Sequence, residues 1–325
     1  MSLAAIADRR ERARRAADGL AAPAGAQGPG PLAGGLVEAL DLVIARRAAG
    51  VLPGERRAAG LGAGTELAQL RPYQVGDDVR RLDAAASART GVPHVCDHVP
   101  ERTLTTWILL DLSASMAFGT AERLKSDVAA GVVEVVARLA ARRGGRVALL
   151  TYGAPVQRLL PPRGGRRALV AVGLVLREGV AADGHAPDAD ALAAALGRIG
   201  RLARGPGLVV VVSDFRAPEG GSVTEAPAWT RALAALAARH DVVAAEVLDP
   251  REGELPAAGH LVLADPETGE RVEADSGSAE LRRRFASAEL ARRDTLRAAL
   301  RRARVRHLEV TTGGDWLRAL GQGLR

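Results

Sequence analysis

The chain has 325 residues, of which 47% are hydrophobic, 26% charged and 2% aromatic, with a formal net charge of +7. That length allows one large domain with an appendage or two modest ones, and so few rings exclude a protein whose work is stacking bases or sugars. Nearly all the positive charge is arginine, which favours acidic partners, but the arginines mostly stand beside Glu or Asp, as solvated helix faces do.

The opening MSLAAIADRRERARR reaches arginine before any apolar stretch of signal-peptide length. Residues 1–34 mix Ala, Arg, Gly and Pro and read as a flexible arm and linker. Residues 35–100 form a separate N-terminal region, with a short helical pattern over 36–47 and then Gly, charge and short extended pieces. This region holds Cys96, the single cysteine, which excludes an intrachain disulfide and fits a reducing, cytoplasmic compartment.

From residue 101 onward the pattern changes. Residues 103–110 are a compact apolar, β-branched run, the mark of a buried strand. Helical spacing over 121–143 stops at Gly144-Gly145; strands follow at 146–152 and 156–160, paired as a hairpin. Helices are predicted over 166–177 and 189–202, a fully buried strand over 207–213, a helix over 226–239 and a strand over 242–248. Residues 260–264 and 270–274 flank the turn-rich Pro266-Glu267-Thr268-Gly269 and suggest an inserted β-hairpin. A long helix over 278–304, a short strand over 305–310 and a last helix over 316–320 complete the chain. Strands alternating with helices predict an α/β fold, with a doubly wound, mostly parallel central sheet. The apolar runs fall far short of the roughly 20 residues needed to cross a bilayer.

In an open α/β sheet, ligands bind beyond the C-terminal strand ends, where the strand order reverses. Two apolar runs here end alike: 107–110 leads into Asp111-Leu112-Ser113-Ala114-Ser115, and 209–212 into Ser213-Asp214. Two carboxylates and two hydroxyls near one crevice suit a hard cation, which takes oxygen ligands. On these residues alone, a loop in which Ser113 and Ser115 merely cap the next helix is equally open.

The pattern of an apolar strand, D-x-S-x-S, a helix, and a second apolar strand ending in S-D resembles the metal-ion-dependent adhesion site of von Willebrand factor A domains. The resemblance covers 101–325 and implies a divalent ion, Mg²⁺ or else Mn²⁺ or Ca²⁺, held by Asp111, Ser113, Ser115 and Asp214. The family usually adds a threonine from an intermediate loop; the matching position here is Asp190, with Asp188 or a water as the other candidates.

Upstream, Arg71-Pro72-Tyr73-Gln74-Val75-Gly76-Asp77-Asp78-Val79-Arg80, followed by Asp83 and Ser87-Ala88-Arg89-Thr90, resembles the signature of the domain-of-unknown-function-58 family. Ala84 stands where that family has tryptophan. Physically, Gly76-Asp77-Asp78 is a turn whose carboxylates arginines can clamp. The resemblance implies a non-catalytic adaptor that captures a partner protein's carboxylate and works with a MoxR-type AAA+ ATPase.

Two other functions compete. A phosphohydrolase with Asp111 as nucleophile needs an acid two positions later, where Ser113 stands. Nucleic-acid binding rests on arginine charge alone. His94, Cys96 and His98 alternate as metal ligands can on a strand, but lack an evident fourth. Residues 60–64 are too loose for a dinucleotide fingerprint, and Lys125 lacks the glycines of a phosphate loop.

Overall fold

A computed structural model describes residues 66–99, 104–142, 144–216 and 227–323. The expected arm over 1–34, the helix over 36–47 and the glycines at 60–64 lie outside these residues. Two compact units divide the chain, one spanning Pro53–Leu104 and the other containing Thr105–Arg325.

In the first unit, β1 (Glu66–Pro72) pairs antiparallel with β2 (His94–Val99), and α1 (Ala84–Thr90) lies between them in sequence. Asp83 caps α1 by accepting the Ala86 N–H at 2.7 Å, and Gly91 closes it in the left-handed region at φ +72°. The turn after β1 is the clamp the sequence suggests. Arg71 grips Asp77 bidentately at 2.7 and 2.7 Å, and the Gln74 N–H adds a bond at 2.8 Å.

The second unit is built on β3 (Thr105–Asp111), α2 (Lys125–Arg142), β4 (Arg146–Tyr152), β5 (Leu159–Gly164), α3 (Gly165–Leu176), α4 (Ala191–Leu202) and β6 (Leu208–Ser213). It continues through α5 (Trp229–Ala237), β7 (Asp241–Leu248), the hairpin β8 (His260–Ala264) and β9 (Arg271–Asp275), α6 (Ala279–Arg302), β10 (Arg306–Thr311) and α7 (Trp316–Gly323). Six strands make one sheet in the order β10-β7-β6-β3-β4-β5, parallel except for β5 at the edge.

Because side chains alternate across a strand, β3 and β6 feed two cores. Ile108, Leu110, Val210 and Val212 pack with α2, α3 and α7, whereas Trp107, Leu109, Val209 and Val211 pack with α4, α5 and α6. This is the doubly wound α/β fold with an inserted hairpin. Among the described residues, no helix is long and apolar enough to cross a membrane.

Two boundaries differ from expectation for physical reasons. Helix α2 starts at Lys125 rather than 121, because the preceding loop is held elsewhere: Asp249 takes the Thr120 N–H at 2.7 Å and the Thr120 hydroxyl. Strand β5 starts at Leu159 rather than 156, after Thr151 and Arg158 close the turn, the Thr151 N–H donating to the Arg158 carbonyl at 2.9 Å. Its Pro161-Pro162 is tolerated because β5 is an edge strand.

Candidate metal centre

Chain order sets the site. From β3 the chain winds outward to β4 and β5, then returns to the other side of β3 to lay down β6 and β7. The crevice lies where this direction reverses, at the carboxyl ends of β3 and β6, and those ends carry Asp111 and Asp214.

Both carboxylates and both serines are buried. Ser113 donates to Asp111 Oδ1 from its N–H at 2.9 Å and its hydroxyl at 2.7 Å. The Ser113 and Ser115 hydroxyls lie 3.1 Å apart, and Ser115 donates to Asp214 Oδ2 at 2.8 Å. On the other side, Tyr152 and Ser213 hydroxyls donate to Asp111 Oδ2 at 2.8 and 2.6 Å, and fix the carboxylate's plane. Gly153 makes the loop possible: at φ +82°, an added Cβ would stand 2.7 Å from Ser113 N and 2.9 Å from Asp111 Oδ1.

The electrostatics are asymmetric. Burial and the Asp214 charge push the Asp111 carboxyl up. Burial acts on Asp214 in the same direction but is overridden by Lys125, which holds it low. Lys125, the chain's one lysine, is wholly buried, with its ammonium 2.7 Å from Asp214 Oδ2 and 2.6 Å from Glu252 Oε1. Burial alone would discharge it, but the two carboxylates keep it charged. Glu252 is itself held by a capping box with Asp249.

A further acid faces this group. Glu267, in the turn between β8 and β9, is buried, and its carboxyl is pushed up to about 7 by desolvation and by Asp214 and Asp111.

Of the residues singled out in the sequence, Asp111, Ser113, Ser115 and Asp214 are thus brought into one hydrogen-bonded group. Asp190 stands at the N-cap of α4 without a side-chain capping bond; it and Asp188 are exposed. In the N-terminal unit, the His94 ring bonds Thr90 and the Val92 carbonyl, while the Cys96 thiol donates to Asp83 at 3.3 Å. Sequence reasoning gave no role to Tyr152, Gly153, Lys125 or Glu267, whose parts depend on tertiary placement. It also missed Glu246, His307 and Glu309, whose ligand atoms lie within 4.8 Å of one another on β7 and β10. Arg292 and Arg297 already pair with the two glutamates, at 3.4 and 2.8 Å, so the group reads as an ion network.

The donor set at the switch point has the chemistry of a hard-cation site. All four groups offer oxygen, and their 2.7–3.1 Å spacings bracket the edge of about 2.9 Å in an octahedron with 2.0–2.1 Å metal–oxygen bonds.

A doubly wound sheet with D-x-S-x-S and a second strand-end aspartate at its switch point defines a von Willebrand factor A-like domain. The chain belongs to the family described as "Protein of unknown function DUF58", which it matches over residues 69–295. It is 37% identical over 279 residues to proteins of Mycobacterium tuberculosis and Mycobacterium bovis, covering 86% of this chain and 84% of each relative. Among solved structures, it is similar to the conserved hypothetical protein BatB of Bacteroides thetaiotaomicron, at 15% identity and a TM-score of 0.41. That alignment covers 68% of this chain and 97% of BatB. It is also similar to a von Willebrand factor type A protein of Catenulispora acidiphila, at 10% identity and a TM-score of 0.37, over 70% of this chain and 44% of the other.

Proposed function

We propose that this protein is a metal-dependent, non-catalytic adaptor that binds a partner protein through a carboxylate. The observation that carries the reading is the convergence of Asp111, Ser113, Ser115 and Asp214 at the switch point. These four would hold Mg²⁺, or Mn²⁺ or Ca²⁺, and the bound ion would supply a Lewis-acidic position open to an incoming carboxylate. Tyr152 and Ser213 orient Asp111, and Lys125 keeps Asp214 ionised and fixed. Ser113 lacks the acidity that leaving-group protonation requires, which speaks against a phosphohydrolase. By family resemblance, the partner machinery is a MoxR-type AAA+ ATPase, and the process is assembly or activation of other proteins.

Titration of the full chain with Mg²⁺ by calorimetry, beside Asp111→Asn, tests the reading. Wild type is expected to bind one ion and Asp111→Asn none. Purification from the native host with and without chelator is expected to release a partner ATPase or its client when the metal is stripped. Metal-dependent phosphoester turnover abolished by Asp111→Asn would replace the adaptor with an enzyme.

A further inference from the structure

The charge of this chain is unevenly placed. Residues 135–177 hold nine arginines and no aspartate or glutamate, so this one stretch carries more than the whole net charge of +7. In the fold it supplies the end of α2, strands β4 and β5 and helix α3, at one margin of the sheet. Arg138 of α2 and Arg283 of α6 lean on acids of their own helix, Glu134 and Glu280. Helix α3 has no acid to offer. Among the described residues, Arg163, Arg166, Arg167 and Arg177 have no hydrogen-bonded or ion-paired partner, and all four are exposed.

At 3.6 residues per turn, Arg166, Arg167, Val170, Leu174 and Arg177 fall within an arc of about 100° on α3. The opposite side, through Ala168, Val172 and Val175, is packed in the core, so this arc faces solvent. Val170 is 56% and Leu174 59% exposed. They form an aliphatic ridge with arginine at both ends, and Arg166 lies about 16 Å from Arg177 at 1.5 Å per residue. Arg163, at the end of β5, adds to the charge at the start of the helix.

Charge alone would suit any polyanion; the aliphatic ridge narrows the choice. A nucleic-acid backbone has nothing apolar to cover Val170 and Leu174, and α3 carries no ring on which a base could stack. A bilayer takes up a broad apolar face, whereas this one is two side chains wide. A second copy of the chain brings the same excess of positive charge. Addition of a strand at the sheet margin is obstructed, because Pro161 and Pro162 of β5 lack amide donors. We propose that this face of α3 docks an acidic amphipathic helix of a partner protein. Its carboxylates meet Arg163, Arg166 and Arg167 at one end and Arg177 at the other, and its aliphatic residues cover Val170 and Leu174.

The arginine-rich end of this face is remote from the metal centre. Gly164, where β5 passes into α3, pairs with Arg146 at the start of β4, whereas Tyr152, which bonds Asp111, stands at the other end of β4. At about 3.3 Å per residue the separation is about 20 Å. Docking here therefore needs no ion.

The test is fluorescence anisotropy of a labelled synthetic helical peptide, with paired glutamates about three turns apart and leucines between them, titrated with the full chain. Wild type is expected to bind it, more weakly as salt rises and equally with Mg²⁺ or with chelator. Arg166→Glu combined with Arg167→Glu is expected to weaken binding about tenfold, and Leu174→Ser to weaken it severalfold. Arg166→Ala combined with Arg167→Ala serves if reversal of charge prevents folding. Equal binding of a scrambled peptide of the same composition, or an unchanged affinity in Leu174→Ser, would reduce the face to unspecific charge and overturn the proposal. So would failure of wild type to bind the peptide, or tighter binding of duplex DNA or phosphatidylserine vesicles that the same variants lose. Binding that disappears in chelator would place the peptide at the metal centre instead, overturning this surface and leaving the adaptor reading standing.

Discussion

At Lys125, a single methylene chain decides how the site is charged. Its ammonium is buried against Asp214 and Glu252, so Lys125→Met leaves the buried Asp214 without its cation, while Glu252 keeps its pair with Arg216 at 3.2 Å. Breaking a buried pair in this way costs about 3–5 kcal/mol, and the variant's Tm is expected to fall accordingly. Mg²⁺ should then raise the variant's Tm more than that of wild type, because the ion replaces the lost charge instead of sitting beside it. Thermal unfolding with and without Mg²⁺ checks this; a smaller shift in the variant would mean that Lys125 assists metal binding. Gly153→Ala attacks the same site from the backbone. The left-handed φ costs a non-glycine residue about 1–2 kcal/mol, and the new Cβ would meet Ser113 N at 2.7 Å. The Mg²⁺-induced rise in Tm is expected to vanish in this variant, as the serine loop is displaced. The D-x-S-x-S spacing was legible because its members are adjacent in the chain, and strand-end position pointed to Asp214. Lys125 looked like an ordinary residue of a helix start, and nothing local marks Glu267. Asp190 was reached by matching loop order to a family, and it stands exposed at the start of α4.

At the scale of elements, the runs at 103–110 and 207–213 could be read as buried strands because both faces of a central parallel strand are covered. The start of α2 could not, since the grip of Asp249 on Thr120 comes from the end of β7. The same contrast in burial orders their dynamics. Amides of β6, wholly buried, are expected to exchange at the slowest rate of the molecule, and those of β8–β9 orders of magnitude faster, since two strands alone are marginal. In the N-terminal unit, Asp77 is held down to about 2 by its hydrogen bonds from Arg71 and Gln74. A depressed carboxylate contributes stability above its unfolded pKa, near the model-peptide value of 3.8, and loses it as pH falls toward 2. The Gln74 amide resonance, whose N–H is bonded to Asp77, should therefore titrate near pH 2 in wild type. In Arg71→Ala the midpoint should move up toward 3.8, and an unmoved midpoint would deny the clamp.

Across the whole molecule, the arginine-rich composition raised the possibility of nucleic acid, but the arginines near the site are turned inward on acids. Arg216 pairs with Glu252 and Glu289, and Glu289 pairs in turn with Arg292 and Arg293. Overall charge was thus a poor guide to function, whereas the alternation of apolar runs was a good guide to architecture: one sheet, two cores and one reversal of strand order. The burial of Lys125 has a practical outcome as well. The sequence carries one side-chain amine, and the fold hides it completely. An acylating reagent added to the native protein can reach that amine only when the segment around Phe118–Lys125 parts from Asp214 and Glu252. The labelling rate at this position is therefore a clock for opening of the domain's charged centre, read by mass from a single peptide.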